Sequence, residues 1–349
     1  MTENKWSFIS HITNHMAKPR FGEQKAPTLW PSGAACDIKD LNGNETFIGK
    51  CRRQSFFRYF IDTFNFYPDY DECGPFVKHI KDNTTPLDTY KYWIFKAGDL
   101  YEEYCIDVAK ESGVYVADQV PIYIPAVNVS GKIDLIVIDP ETSKYRIVEV
   151  KSVYGFNGNT VLGTPADRRR GALGTPREAH LMQLGIYQWW YGNCTDNFAE
   201  ALLVYGDRGT GLYAEYTVTV EKSEADGLSH IYYQGNSPTI TEKIDSNIIL
   251  EEIMQMYQQI QGAVSSRTPP ERDYDMLYSQ ERIKQLYDAG LLSKTDRIQY
   301  EKRAKQLEEG KTRLVKEVVK GDWQCTYCEY KNVCYDSDGV PKDLPKIET

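Results

Sequence analysis

The sequence predicts an α/β protein, a mixed central sheet flanked by helices, and three observations carry that prediction. The apolar pattern has helical spacing over residues 90–112. It then changes to extended, β-branched runs over 119–124, 133–138 and 145–150. Helical spacing returns over about 177–191, and two more extended runs follow at 199–205 and 212–220. Helix, three strands, helix and strand is therefore the expected order of the core.

Composition sets bounds on this reading. The chain has 349 residues, 41% hydrophobic and 26% charged, as expected of a globular protein with a sizeable core. No run approaches the roughly 18 apolar residues of a membrane span. The start, Met1-Thr2-Glu3-Asn4-Lys5-Trp6, lacks the basic and apolar regions of a signal peptide, so a cytoplasmic location is expected. A net charge of -9 argues against a protein that coats nucleic acid through bulk electrostatics, while leaving room for a local basic groove. Eight cysteines in such a chain point to metal binding or burial rather than to a disulfide framework.

In chain order, residues 1–49 are rich in Asn, Lys, Gly and Pro and read as a segment that wraps the surface or is partly mobile. A helix with an aromatic face follows, opened by Cys51, and 65–89 reads as a connection because of Pro68, Gly74, Pro75 and Pro86. The connection 152–176 is unusually long and contains five glycines, so it reads as a basic flap around Arg168, Arg169 and Arg170. These arginines either contact phosphates or form a solvated cluster. Residues 221–320 look mostly helical, notably 247–261 and 279–319, the latter broken near Gly290 and Gly310. The expected divisions are 1–49, a core over 50–220, a helical extension over 221–320, and a cysteine-bearing segment over 321–349.

The charges in the central hairpin stand out against its apolar strands. Asp134 interrupts the first strand, while Glu149 and Lys151, two residues apart on the second, share one face of the sheet. Clustered acids are costly to bury unless a cation lies between them, and a divalent ion with oxygen ligands is the usual solution. The alternative is a hairpin with solvated charges on its outer face.

Asp134 with Glu149-Val150-Lys151 resembles the D…E-x-K of the PD-(D/E)xK nuclease superfamily, whose restriction-endonuclease-like core has the same α-β-β-β-α-β order. Gln183 and Tyr187, a Q-x-x-x-Y on the following helix, resemble the motif that follows E-x-K in RecB-type nucleases. Upstream, Gly98-x-x-x-Glu102 matches the place where many members carry a histidine ligand; Glu103 is its rival here. The run Cys325-x2-Cys328-x5-Cys334 resembles the iron-sulfur subgroup, which includes the AddB and CRISPR-adaptation nucleases. In that subgroup a distant N-terminal cysteine is the fourth ligand, and Cys51 occupies the similar place, with Cys36 a weaker candidate. Zinc remains the alternative to a 4Fe-4S cluster.

The resemblance implies metal-dependent hydrolysis of phosphodiester bonds. Glu102, Asp134, Glu149 and the Val150 carbonyl would hold Mg2+ or Mn2+, Lys151 would orient water and offset charge, and Gln183 and Tyr187 would hold Lys151 and the strand. Arg168, Arg169, Arg170 and Arg177 would contact nucleic acid. The implied substrate is DNA with single-stranded ends, attacked as an exonuclease, in recombination, CRISPR adaptation or phage genome processing; the 26 tyrosines would supply stacking surfaces. A structure-specific endonuclease and a catalytically idle nucleic-acid-binding or assembly subunit are the alternatives. No Gly-x4-Gly-Lys-Ser/Thr loop is present, so unwinding would need a helicase or recombination partner. No membrane association is expected.

Overall fold

The computed structural model describes residues 26–39, 45–67, 72–85, 89–237, 240 and 242–347. Much of the expected N-terminal wrapping segment therefore lies outside the described residues. The elements in order are β1 (Ala35–Lys39), β2 (Glu45–Gly49), α1 (Arg52–Phe66), α2 (Gly74–Asn83), α3 (Thr89–Glu111), β3 (Tyr115–Ile124), β4 (Val129–Ile138) and β5 (Tyr145–Val153). Next come α4 (Phe156–Leu162), α5 (Pro165–Arg169), α6 (Glu178–Cys194), β6 (Ala201–Asp207), β7 (Tyr213–Lys222), β8 (Ser229–Gly235), β9 (Ile244–Ile249) and α7 (Leu250–Ser265). The chain ends with α8 (Gln280–Asp288), α9 (Lys294–Glu308) and two single turns, α10 (Trp323–Thr326) and α11 (Lys331–Cys334). They form two compact units, Met1–Pro68 with Leu87–Pro270, and Asp69–Pro86 with Glu271–Thr349.

The first unit is an α/β structure around a seven-stranded mixed sheet, in the order β3-β4-β5-β6-β7-β8-β9. Only the β5–β6 pair is parallel, so the chain must cross over between these strands, and α6 makes the crossing. Every residue of α6 from Leu181 to Tyr187 is buried, as expected of a helix that is apolar nearly all round. With Ile253 and Ile260 of α7, it packs on Ile133, Ile147, Leu203 and Val218 of the sheet. On the opposite face, Ile106 and Ala109 of α3 meet Leu135, Val148 and Val150.

The structure corrects several expectations. The early segment is not only a wrap, because β1 and β2 pair antiparallel, and Ala35 and Cys36 enter the core. Residues 65–89 contain α2, whose Pro75 sits in the first turn, where a missing N–H costs nothing, and whose Phe76, Val77 and Ile80 are buried. The start of the 221–320 region is extended rather than helical. β8 and β9 each bury a single isoleucine, Ile231 and Ile248, too faint an alternation to stand out in sequence. They and α7 belong to the sheet unit, which therefore runs to Pro270 rather than ending near residue 220.

The connection after β5 is also structured. Thr164 and Asp167 form a reciprocal capping box that starts α5, and the Tyr216 hydroxyl donates to the Val161 carbonyl at the end of α4. Arg168 donates to the Gly163 carbonyl at 2.5 Å, and Arg170 pairs with Asp167 at 2.6 Å. Two of the three arginines of the expected flap thus hold their own turn, and Arg169 is exposed.

In the second unit Ile283, Leu292 and Val318 form a small core with tyrosines 278, 287 and 300. α2 packs on α11, and the Thr85 N–H donates to the Glu329 carbonyl at 2.7 Å. Among the described residues no helix is long and apolar enough to cross a membrane.

One close approach fixes α3 on the sheet. A Cβ at Gly206 of β6 would overlap the ring of Tyr101, so the ring can lie flat against that strand only over a glycine. Gly206→Ala is expected to lower the unfolding free energy by about 1–3 kcal/mol, the range for overpacking. Urea denaturation measures it, and an unchanged midpoint would contradict this packing.

Candidate active site

The site is built where the ladder between β4 and β5 stops. Main-chain pairing runs from Ile138↔Tyr145 to Leu135↔Val148. At the next step a side chain takes over: Asp134 Oδ2 accepts the Val150 N–H at 2.9 Å. β5 meanwhile continues along β6 as far as Val153↔Asp207, so its central residues stay rigid.

Glu149 lies at the centre of this notch and is fully buried. Its Oε1 accepts hydrogen bonds from Gln183 Nε2, at 2.7 Å, and from Lys151 Nζ. Its Oε2 is also buried and has no hydrogen-bond partner among the described residues. Gln183 is in turn 3.4 Å from the Tyr187 hydroxyl, which donates to the Lys132 carbonyl at 2.9 Å. Gln183 therefore positions Glu149 directly, Tyr187 braces Gln183, and both reach Lys151 only through Glu149.

Glu102, on α3, is the third acid. It feels the charges of Asp134 and Lys151, and its carboxylate accepts from Gln119 Nε2. Glu103 is exposed and pairs with Lys96 at 3.5 Å, away from this set. Gln119 stands opposite Asp134, between the pairs Asp118↔Leu135 and Val120↔Ile133, with a φ of +49°. That left-handed backbone is uncommon for a residue other than glycine and marks local strain. Its role escapes sequence reading because it depends on strand register.

The electrostatics follow from burial. Burial raises the Glu149 carboxyl to about 8; Lys151 pulls it down, and Asp134 and Glu102 push it up. Glu102 rises to about 7 through burial and then Asp134, with Gln119 opposing. Asp134 is raised by burial, against which Lys151 and then the Val150 N–H act downward. For Lys151 burial is the largest influence and acts downward, but the carboxylates together hold the ammonium above its usual range. These acids titrate as a coupled group that resists full ionisation near neutral pH.

A second missed residue is His180, one turn before Gln183. Its Nδ1 is 2.9 Å from the Tyr205 hydroxyl, which also accepts the Arg177 N–H at 3.1 Å. Burial first, then the charges of Lys151 and Arg177, push the imidazole well below its usual range and keep it neutral. Arg177 is the N-cap residue of α6.

The donor set suits a hard divalent cation. Asp134 and Glu149 meet at the notch and Glu102 is coupled to them by charge, though among the described residues no three such side chains stand close enough to hold an ion as they are. The buried Oε2 of Glu149 lacks the hydrogen-bonding partner that a buried carboxylate oxygen needs. Such oxygen ligands are the kind Mg2+ and Mn2+ take. The cysteine residues divide between the units. Cys51 caps α1 in the first; Cys325, Cys328 and Cys334 lie on and around α10 and α11 in the second, together with the buried Cys73. Comparisons of the chain with protein-family models, with curated proteins and with solved structures find no match.

The raised carboxyls make a linkage prediction for metal-free protein. Glu149 ionises near pH 4.3 when unfolded and near 8 when folded, so between those values the native state binds the extra proton. Its contribution to stability is thus complete below the lower value and lost as pH rises through the upper. In chelator, melting temperature measured from pH 5 to 8.5 should fall more steeply for the natural protein than for Glu149→Gln. Parallel curves would contradict the assignment.

Proposed function

We propose that the chain is a metal-dependent nuclease of the PD-(D/E)xK type that hydrolyses single-stranded DNA from an end. The observation that carries this reading is the buried, unpartnered Oε2 of Glu149, flanked by Asp134, Glu102 and Lys151. When bound, a Mg2+ or Mn2+ ion held by Glu102, Asp134, Glu149 and the Val150 carbonyl would polarise the scissile phosphate and acidify the attacking water.

The chain's own residues supply the rest. Gln183, braced by Tyr187, fixes the rotamer of Glu149, so the carboxylate is presented without reorganising. Asp134 is held by the Val150 N–H, and Glu102 by Gln119. Lys151, fixed against Glu149, orients the water and offsets the charge that grows on the phosphoryl oxygens. The neutral His180 adds no second cation that would compete for the carboxylates.

Cleavage of end-labelled single strands and of single-stranded circles, with Mg2+ or Mn2+, is the test. Loss of cleavage by about two to three orders of magnitude in a folded Lys151→Ala variant is expected. Undiminished cleavage by that variant would overturn the assignment, and cutting of circles would replace an exonuclease with an endonuclease.

The cysteine motif supports a second, structural metal centre. Cys325, Cys328 and Cys334 supply soft thiolate donors, and the resemblance implies Cys51 as the fourth ligand of a 4Fe-4S cluster. Anaerobically purified protein should contain iron and acid-labile sulfide in equal amounts and lose both in Cys328→Ser. Zinc without sulfide would assign the motif to a zinc site.

A further inference from the structure

Beside the acids lies a cleft of about 1010 Å3, whose lining includes Gln183, which bonds Glu149, and Tyr187, which braces Gln183. That volume is at the upper end for small-molecule sites. Its outer wall is Trp30, 43% exposed, with the Arg58 guanidinium 3.2 Å from the ring centroid. Trp30 is held from behind, because the Tyr257 hydroxyl donates to its carbonyl at 2.8 Å and the following residues form a 3-10 turn. The platform is thus an aromatic plane and a guanidinium plane already stacked on a fixed backbone. Further in stand Asp62, one helical turn from Arg58, and the Thr28 and Ser130 hydroxyls, 2.5 Å apart.

The chemistry of this lining selects its occupant. A phosphate would find Arg58 and Lys132 in the lining, but those cations leave the Asp62 carboxyl, raised by burial and lowered by Arg58, and the two hydroxyls unused as acceptors. A purely apolar ligand would leave that acid and the hydroxyls without exchange for their water. A flat heterocycle that carries N–H donors fits both parts: it stacks on the Trp30 and Arg58 planes and presents its edge to Asp62 and the hydroxyls. Gly131 keeps the inner end of the cleft open, since a Cβ there would come within 2.9 Å of both the Tyr187 hydroxyl and the Pro31 ring.

We propose that this cleft binds an unpaired nucleobase of a single DNA strand, next to the phosphate presented to Glu149, with Trp30 and Arg58 as its stacking platform. The inference rests on the nuclease reading for the identity of the polymer, but its test needs no cleavage. A duplex could not use the site, because a paired base hides the edge that the cleft reads.

The experiment is fluorescence anisotropy of labelled single-stranded oligonucleotides with the full-length protein in chelator. Intact strands are compared with strands carrying one abasic position, moved along the sequence from the end. For the natural protein, one position is expected to weaken binding by about ten- to a hundredfold, the size of one stacked base. Trp30→Ala should weaken binding of the intact strand by a similar factor and abolish the difference between intact and abasic strands. Trp30→Phe should retain part of it, and Arg58→Ala, which removes the other plane of the platform, should also reduce it. Equal binding of intact and abasic strands by the natural protein, or an abasic effect that survives Trp30→Ala, would overturn the proposal. Absence of cleavage with an abasic effect intact would sink the nuclease reading and leave the cleft assigned; cleavage without an abasic effect would do the reverse.

Discussion

The fully buried carboxylate of Glu149 is the constraint around which the first unit is arranged. An ionised carboxylate taken out of water is costly unless its oxygens are matched by donors or cations. One oxygen is matched twice, by Gln183 and Lys151, and the other is left without a hydrogen bond among the described residues. A core selected for stability alone would have no reason to keep that oxygen. Removing Glu149 for an apolar residue of similar volume would relieve the cost; on the proposed reading a cation offsets it instead.

The fold follows from the need to hold that group still. β5 is flanked on both edges, and α6 crosses from it to β6, which brings Gln183 over the strand that carries Glu149. α3 covers the other face and delivers Glu102, with Tyr101 seated on Gly206 as its anchor. The early ending of the β4–β5 ladder leaves the Val150 N–H to Asp134, so a side chain and a main-chain group share one task. The cleft beside Gln183 is bounded by α1 and the segment before β1.

Parts of this were legible in the sequence and parts were not, for identifiable reasons. Asp134, Glu149 and Lys151 stand out because charges interrupt β-branched runs, and α6 because its apolar positions are nearly continuous. Gln119 and His180 do not, since one matters through its register opposite Asp134 and the other through contact with Tyr205 on a distant strand. α2 was masked by prolines and glycine that start a helix as readily as they break one. β8 and β9, at one end of the sheet, were masked because strands that bury one isoleucine each look like polar loops. The arginines of the 152–176 connection looked like phosphate ligands, whereas two of them cap and brace their own turn. Trp30 and Arg58 meet only in the folded chain.

The central claim is that the second oxygen of Glu149 belongs to a divalent cation. Its most direct test is a titration with Mn2+ followed by electron paramagnetic resonance, comparing the natural protein with Glu149→Gln. That variant keeps the side-chain volume and an oxygen able to accept from Lys151 and Gln183, but removes the negative charge. Saturable Mn2+ binding that is lost or weakened by at least about tenfold in the variant is the predicted result. Equal binding by both proteins would contradict it.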